Sequence, residues 1–251
     1  MSDENLINAL RESINIDEEN VITSTEPADF LGDTISFDEI ITSSLFEKTV
    51  NTIACNPEEL ILQANQIRKN GVELNNTFLD AFIKVEEMHE CWFGKSYVLV
   101  LNEFNKLVSD INKLNHLAIE EIPTSLEKIA NLFAEADGRP IVKKVTRESY
   151  KYVQSLNPVT DEGFRFLSSK VEIKKNEIIT DFNEAKKIMM QIIDCLRNIS
   201  WNDDTAQQFT NSLRIFSKKM SADFDEVIKK INVYIQGQVD AVSKVENANM
   251  F

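Results

Sequence analysis

Glu86 and His89 stand three residues apart in a stretch of helical periodicity. On a helix that spacing puts a carboxylate and an imidazole on one face, as di-iron helical bundles require. Such a centre also needs a second Glu-x-x-His and two more inward carboxylates. The only other histidine is His116, and three residues before it stands Lys113. The ligand set is incomplete, so no metal is expected, and two solvent-facing histidines account for the pattern. The three cysteines, Cys55, Cys91 and Cys195, have no metal-ligand spacing. They read as three reduced, mostly buried thiols of a protein made in a reducing cytoplasm. A Cys91–Cys195 bridge stays open if the segments that carry them meet. There is no glycine-rich phosphate loop and no nucleophile elbow, and two histidines give little material for a Cys-His or Ser-His pair. The expectation is a protein without catalytic residues or cofactor.

The elements that would position any site are long. The 251 residues contain only six glycines and five prolines, so turns are few. Apolar residues recur at three- and four-residue spacing, which is helical. A net charge of −14 is concentrated in residues 1–50, where twelve acidic residues face two basic ones. Nucleic-acid binding needs a basic face and is not expected. An anionic membrane would repel the chain. No stretch approaches the roughly 18 apolar residues of a membrane span, so no stable membrane insertion is expected. The start lacks the basic and apolar regions of a cleavable signal peptide.

Trp92 and Trp201 lie 109 residues apart, each where one helical pattern stops and another begins. The downstream segments superimpose at that offset without a gap. Val100 falls on Phe209, Phe104 on Leu213, Leu107 on Phe216, Ile111 on Met220, Ala118 on Val227 and Ile122 on Ile231. Further on, Phe133 falls on Val242 and Asp137 on Glu246. A helical hairpin has been duplicated.

Residues 1–55 form an acidic N-terminal extension, broken by Pro27 and Gly32, with short helices and apolar clusters such as Ile35, Phe37, Ile40, Ile41, Leu45 and Phe46. It is expected to add little to global stability. The first hairpin occupies 56–138. Asn56 caps it, Pro57 suits the first helical position, and Glu58 and Glu59 meet the positive end of the dipole. Pro123 predicts a kink near residue 120. Gly138 before Pro140 predicts a left-handed stop. Residues 139–160 form a connector rich in Lys, Arg and Tyr, in part helical. The second hairpin occupies 161–251, capped by Thr160 or Asp161, with Phe166 opening its apolar stripe. Each hairpin has one stripe per helix and cannot bury it alone. The expected fold is all-α: two long hairpins packed as an antiparallel, rod-like four-helix bundle. Helices of about 30–40 residues would run roughly 45–60 Å.

A helix, a Trp-x-Gly turn, a second helix and an aromatic-x-x-x-acidic tail resemble the WXG-motif (Esx-like) family of type VII secretion substrates. The resemblance covers about 56–137 and 161–246. Trp92 and Gly94 match the turn, and Phe133 with Asp137 stands where the family has a Tyr-x-x-x-Asp/Glu export element. In the second unit Trp201 is kept, Asp203 replaces the glycine, and Val242 with Glu246 forms the tail without an aromatic. Asp203 can instead cap the helix that follows. The resemblance implies two such units fused in one chain. The protein would be a monomer, made in the bacterial cytoplasm and secreted without a cleavable signal peptide. It would be a secretion substrate or an accessory chaperone, recognised by a membrane-bound type VII secretion ATPase, with a co-secreted toxin or another WXG-like protein as a further partner. The recognised surface would combine a hairpin tip with a neighbouring tail: Trp201 near Phe133 and Asp137, Trp92 near Val242 and Glu246. Taken without the resemblance, each tryptophan plugs a bundle end. The alternative function is a helical pore-forming or membrane-active protein, against which the short polar tips Phe93-Gly94-Lys95 and Asn202-Asp203-Asp204 speak.

Overall fold

The computed structural model describes residues 56–140, 142, 149–158, 163–198 and 204–248. Within the last helix, side chains are described at 211, 214–215 and 218–244. The N-terminal extension, Trp201, Asp203 and the side chain of Glu246 lie outside the described residues. The described chain is helical almost throughout. Five α-helices follow one another: α1 (Pro57–Glu87), α2 (Lys95–His116), α3 (Ile122–Ala136), α4 (Ser168–Arg197) and α5 (Asp204–Ala248). Two short strands pair antiparallel, β1 (Trp92–Phe93) with β2 (Arg165–Phe166).

The helix ends follow from local chemistry. Asn56 Oδ1 accepts from the Glu59 amide at 3.4 Å, with Pro57 in the first turn. At the far end of α3, Gly138 has a φ of 66°. Its amide donates to the Glu135 carbonyl and the Arg139 amide to the Ala134 carbonyl, which is a Schellman stop.

The break expected at Pro123 takes the form of a π-helical turn, Leu117–Glu121. Proline has no N–H, and its ring crowds the carbonyl four residues back, that of Ile119. The freed carbonyl accepts instead from Arg68 Nε on α1 at 2.9 Å, with Arg68 buried. Glu127 stands 3.9 Å from the same guanidinium. The second hairpin has Asn232 at the equivalent position, and α5 runs through unbroken for 45 residues.

Gly71 lets α1 approach this turn. A Cβ there would sit 2.8 Å from Ile119 Cγ1 and 3.1 Å from the Ala118 backbone carbon. Gly237 on α5 has open space at the same atom. Alanine at the two positions should therefore act with opposite signs. Overpacking makes Gly71→Ala less stable, by about 1–3 kcal/mol before the helix-propensity gain. Gly237→Ala gains about 0.5–1 kcal/mol from propensity alone. Paired urea titrations check this; equal shifts would show that the approach at Gly71 is not tight.

The helices meet side by side in opposite directions. Between α1 and α4, Lys84 pairs with Asp181 at 2.7 Å, Lys174 with Glu87 at 2.7 Å, and Gln63 Nε2 donates to the Asn198 carbonyl at 2.7 Å. Between α2 and α5, Lys219 pairs with Asp110 and Lys230 with Glu103, both at 3.0 Å. Four phenylalanines from four helices meet in the core. Phe182 of α4 stacks on Phe224 of α5 at 4.5 Å between ring centroids, Phe78 of α1 lies 5.6 Å from Phe224, and Phe104 of α2 lies 5.8 Å from Phe182. The fold is all-α and helical-bundle-like.

Three details refine the expectation. The described part of the connector, 149–158, contains no helix. It lies against α2, where Asn112 and Asn105 each clamp its backbone by two reciprocal hydrogen bonds. Asn112 takes both polar groups of Val153 at 2.9 Å, and Asn105 takes the Leu156 amide at 2.7 Å and donates to its carbonyl at 2.9 Å. Seven helical residues rise about 10.5 Å, which three residues of strap can span only when extended. The second hairpin's first helix begins at Ser168, not just after 161, because Arg165 and Phe166 are drawn into β2. And the cysteines do not meet: Cys91 and Cys195 are both free. The Cys91 carbonyl accepts from the Leu167 amide at 2.8 Å, at the start of α4. Cys195 lies 28 residues further along that helix, about 42 Å away.

Candidate interaction surfaces at the hairpin ends

The first tip is built around Trp92. Its side chain is 0% exposed. Nε1 donates to Ser96 Oγ at 3.1 Å, which satisfies the one polar atom of a buried indole. Phe166 meets its ring edge-on at 5.5 Å. Trp92 thus joins the end of the first hairpin to the start of the second. Gly94 has a φ of 124°, the positive value that a tight turn needs and that side chains resist. Arg165 spans the strand pair on the outside. Its guanidinium lies 4.9 Å above the Phe93 ring, and Nη1 donates to the Glu90 carbonyl at 3.0 Å. Phe164 and Leu167 remain exposed beside it. What a partner can touch at this tip is therefore the Phe164–Leu167 rim, not the indole.

Burial dominates the electrostatics here. The Tyr97 hydroxyl, which donates to the Val85 carbonyl at 2.9 Å, is pushed well above the usual tyrosine range by burial and then by Glu86. Burial also raises the Cys91 thiol, although Lys170 opposes it. A raised thiol is a poor nucleophile. His89 packs between the Phe93 and Tyr97 rings, 5.7 Å from each. His116 lies 3.2 Å from Glu121. His89 is half-buried, in place of the solvent-facing position expected of it, whereas the His116 side chain is 46% exposed. Among the described residues no group of three or more His, Cys, Asp or Glu side chains could hold a metal ion. No described helix is long and apolar enough to cross a membrane.

The first tail lies at the other end of α1. Phe133 is half-buried against the core, and Asp137 is exposed. Arg139 Nε holds the Asp137 carboxylate at 2.5 Å, and its Nη1 reaches Glu58 at 3.6 Å. Phe133 and Asp137 flank the left-handed stop at Gly138. Asn198, the last residue described before the second turn, is bonded to Gln63 near this same end. In the second tail Val242 is half-buried. The pairs Asp110–Lys219 and Glu103–Lys230 set an antiparallel register. Carried on at 1.5 Å per residue, it brings about residue 240 of α5 level with Trp92.

Sequence reasoning missed the strand pair, the two asparagine clamps and Arg68. Asn105 and Asn112 did leave a signal, two amides seven residues apart on one helix face. The sequence matches no model of a known protein family, and comparison with curated proteins and with solved structures finds no match either.

Proposed function

We propose that this is a non-enzymatic type VII secretion protein, a substrate or an accessory chaperone, made of two WXG-like hairpins fused in one chain. The two hairpins form a single antiparallel four-helix bundle, and the unit works by helix-on-helix recognition. The observation that carries the reading is the contact between Asp110 and Lys219 at 3.0 Å. These residues are repeat equivalents, 109 positions apart. A residue meets its own equivalent only on a two-fold axis, which is the geometry of a dimer of like units. The α1–α4 contacts obey the same axis approximately. Shifted by the repeat, the pair Glu87–Lys174 becomes 196–65, two residues from the observed Asn198–Gln63 contact. One folded polypeptide thus does the work of a paired WXG-like dimer.

In this reading the protein is made in the bacterial cytoplasm and leaves it folded. A secretion ATPase reads the composite of a hairpin end and a tail, and a co-secreted toxin or another WXG-like protein docks along the helices. Secretion from a native-like host with and without the system's ATPase tests it; equal amounts outside the cell would remove the idea. The intramolecular pairing makes a further prediction. At high effective concentration the two halves satisfy each other, so the solution mass should be that of one chain of 28.7 kDa. An obligate dimer would mean that each hairpin pairs in trans.

A further inference from the structure

Five phenylalanine rings touch one after another at one level of the core. Phe82 meets Phe104 edge-on at 5.6 Å, Phe104 lies 5.8 Å from Phe182, Phe182 stacks on Phe224 at 4.5 Å, and Phe224 lies 5.6 Å from Phe78. All five are buried. The first hairpin carries three of these rings, and the second carries Phe182 and Phe224. The repeat tells what each hairpin holds at the matching level on the far side of the two-fold axis. Downstream of the tryptophans the offset is 109. Upstream it is 111 (178 − 67), at which Ile67, Leu74, Ala81 and Val85 fall on Ile178, Ala185, Ile192 and Leu196, all of them buried. This offset carries the Glu87–Lys174 pair onto the Asn198–Gln63 contact residue for residue. Phe78 then falls on Met189, Phe82 on Ile193 and Phe104 on Leu213, so these positions stay apolar. Phe182 falls on Gly71, and Phe224 on Asn115. Gly71 is closed over, since a Cβ there would lie 2.8 Å from Ile119 Cγ1. Asn115 is a buried amide tied to its own hairpin: it is 0% exposed and donates to Asn75 Oδ1 at 2.8 Å.

We propose that these rings match the hairpins to each other: the first cannot pair with a copy of itself, the second can, and any partner of the first must bring two phenylalanines on facing helices. The proposal rests on the two-fold pairing of the preceding reading, but not on secretion. If two first hairpins paired, Phe78, Phe82 and Phe104 of each would face Gly71 and Asn115 of the other. Two rings would be missing at each of two levels, and a core that relaxes only in part keeps the void. If two second hairpins paired, Met189 and Ile193 would face Phe182 and Phe224. That is apolar against apolar, which cores accommodate by repacking. Lys219 would then face Lys219, and repulsion between side chains as exposed as this one is small.

The test keeps both halves present in equal amounts. A site for a specific protease is inserted within residues 159–162, which leaves the clamped strap with the first hairpin. The cut protein is refolded from urea and its species are counted by native mass spectrometry. The unaltered halves should reassemble one to one. Phe78→Ala with Phe104→Ala should deplete this mixed pair and yield dimers of the second half. Phe182→Ala with Phe224→Ala should deplete it as much, yet yield no dimers of the first half. If the rings served only general stability, the two variants would behave alike, and that result overturns the proposal. Dimers of the first half in any sample overturn it too. Unaltered halves that do not reassemble one to one would remove the two-fold reading itself, and the proposal with it.

Discussion

Trp92→Ala should destabilise the fold by about 3–5 kcal/mol, the range for removing a large aromatic from a closed core. The indole is fully enclosed, so the cavity left behind is large. Three losses coincide there. The edge-on contact with Phe166 goes, the Ser96 hydroxyl loses its donor, and the contact with Tyr97 at 6.3 Å is removed. Because Phe166 belongs to the second hairpin, the damage should spread to the start of α4. Trp92→Phe keeps most of the apolar contact and should cost less, mainly the lost hydrogen bond at about 1 kcal/mol. Equilibrium urea unfolding measures both. A cost under about 1 kcal/mol for alanine would mean that the tip is not part of the cooperative core.

Phe133→Ala with Asp137→Ala should abolish export while leaving helicity intact. The pair sits at i and i+4, an apolar anchor beside a charge on one face. Phe133 is half-buried and Asp137 is exposed, so the first supports the bundle and the second faces outward. Arg139 holds that carboxylate in place, so Asp137→Asn should reduce export with less structural consequence than the double variant. Val242→Ala with Glu246→Ala should have the smaller effect, because that tail keeps only the acid. Normal export of the first double variant, with the second one blocked, would invert the assignment. Normal export of both would move the signal elsewhere, most simply to the acidic extension.

Much of this architecture could be read in advance because it is local. Asn56-Pro57-Glu58-Glu59 starts a helix by chemistry within four residues. Gly138 before Pro140 ends one in the same way, and the break at Pro123 needs only a missing N–H. The 109-residue repeat is non-local, but self-similarity exposes it. What escaped depends on a partner far along the chain. The two-residue strand at Trp92 exists only because Arg165 and Phe166 come to it from more than seventy positions away. Arg68 looks like any charged helix residue until Ile119 offers it a free carbonyl. The asparagine clamps need a strap with no regular periodicity of its own. The candidate export residues were legible as a pattern, and so was a tryptophan that plugs the bundle end. What was not legible is that Phe166, from the second hairpin, helps to close it off.

The ion pair at the centre of the α2–α5 contact has a meaning for how such a chain can evolve. At a self-facing position two identical halves would set Asp against Asp or Lys against Lys, and like charges there disfavour the pairing. Once both halves are carried on one polypeptide, each copy is free to change by itself, and here one has become Asp110 and the other Lys219. The pair is half-exposed and its stabilising energy is small. Its effect is on choice. In the proposed reading of two like hairpins in one chain, either hairpin paired with a copy of itself would set like charges together at this position, so the pair favours the mixed pairing over both self-pairings by a small margin.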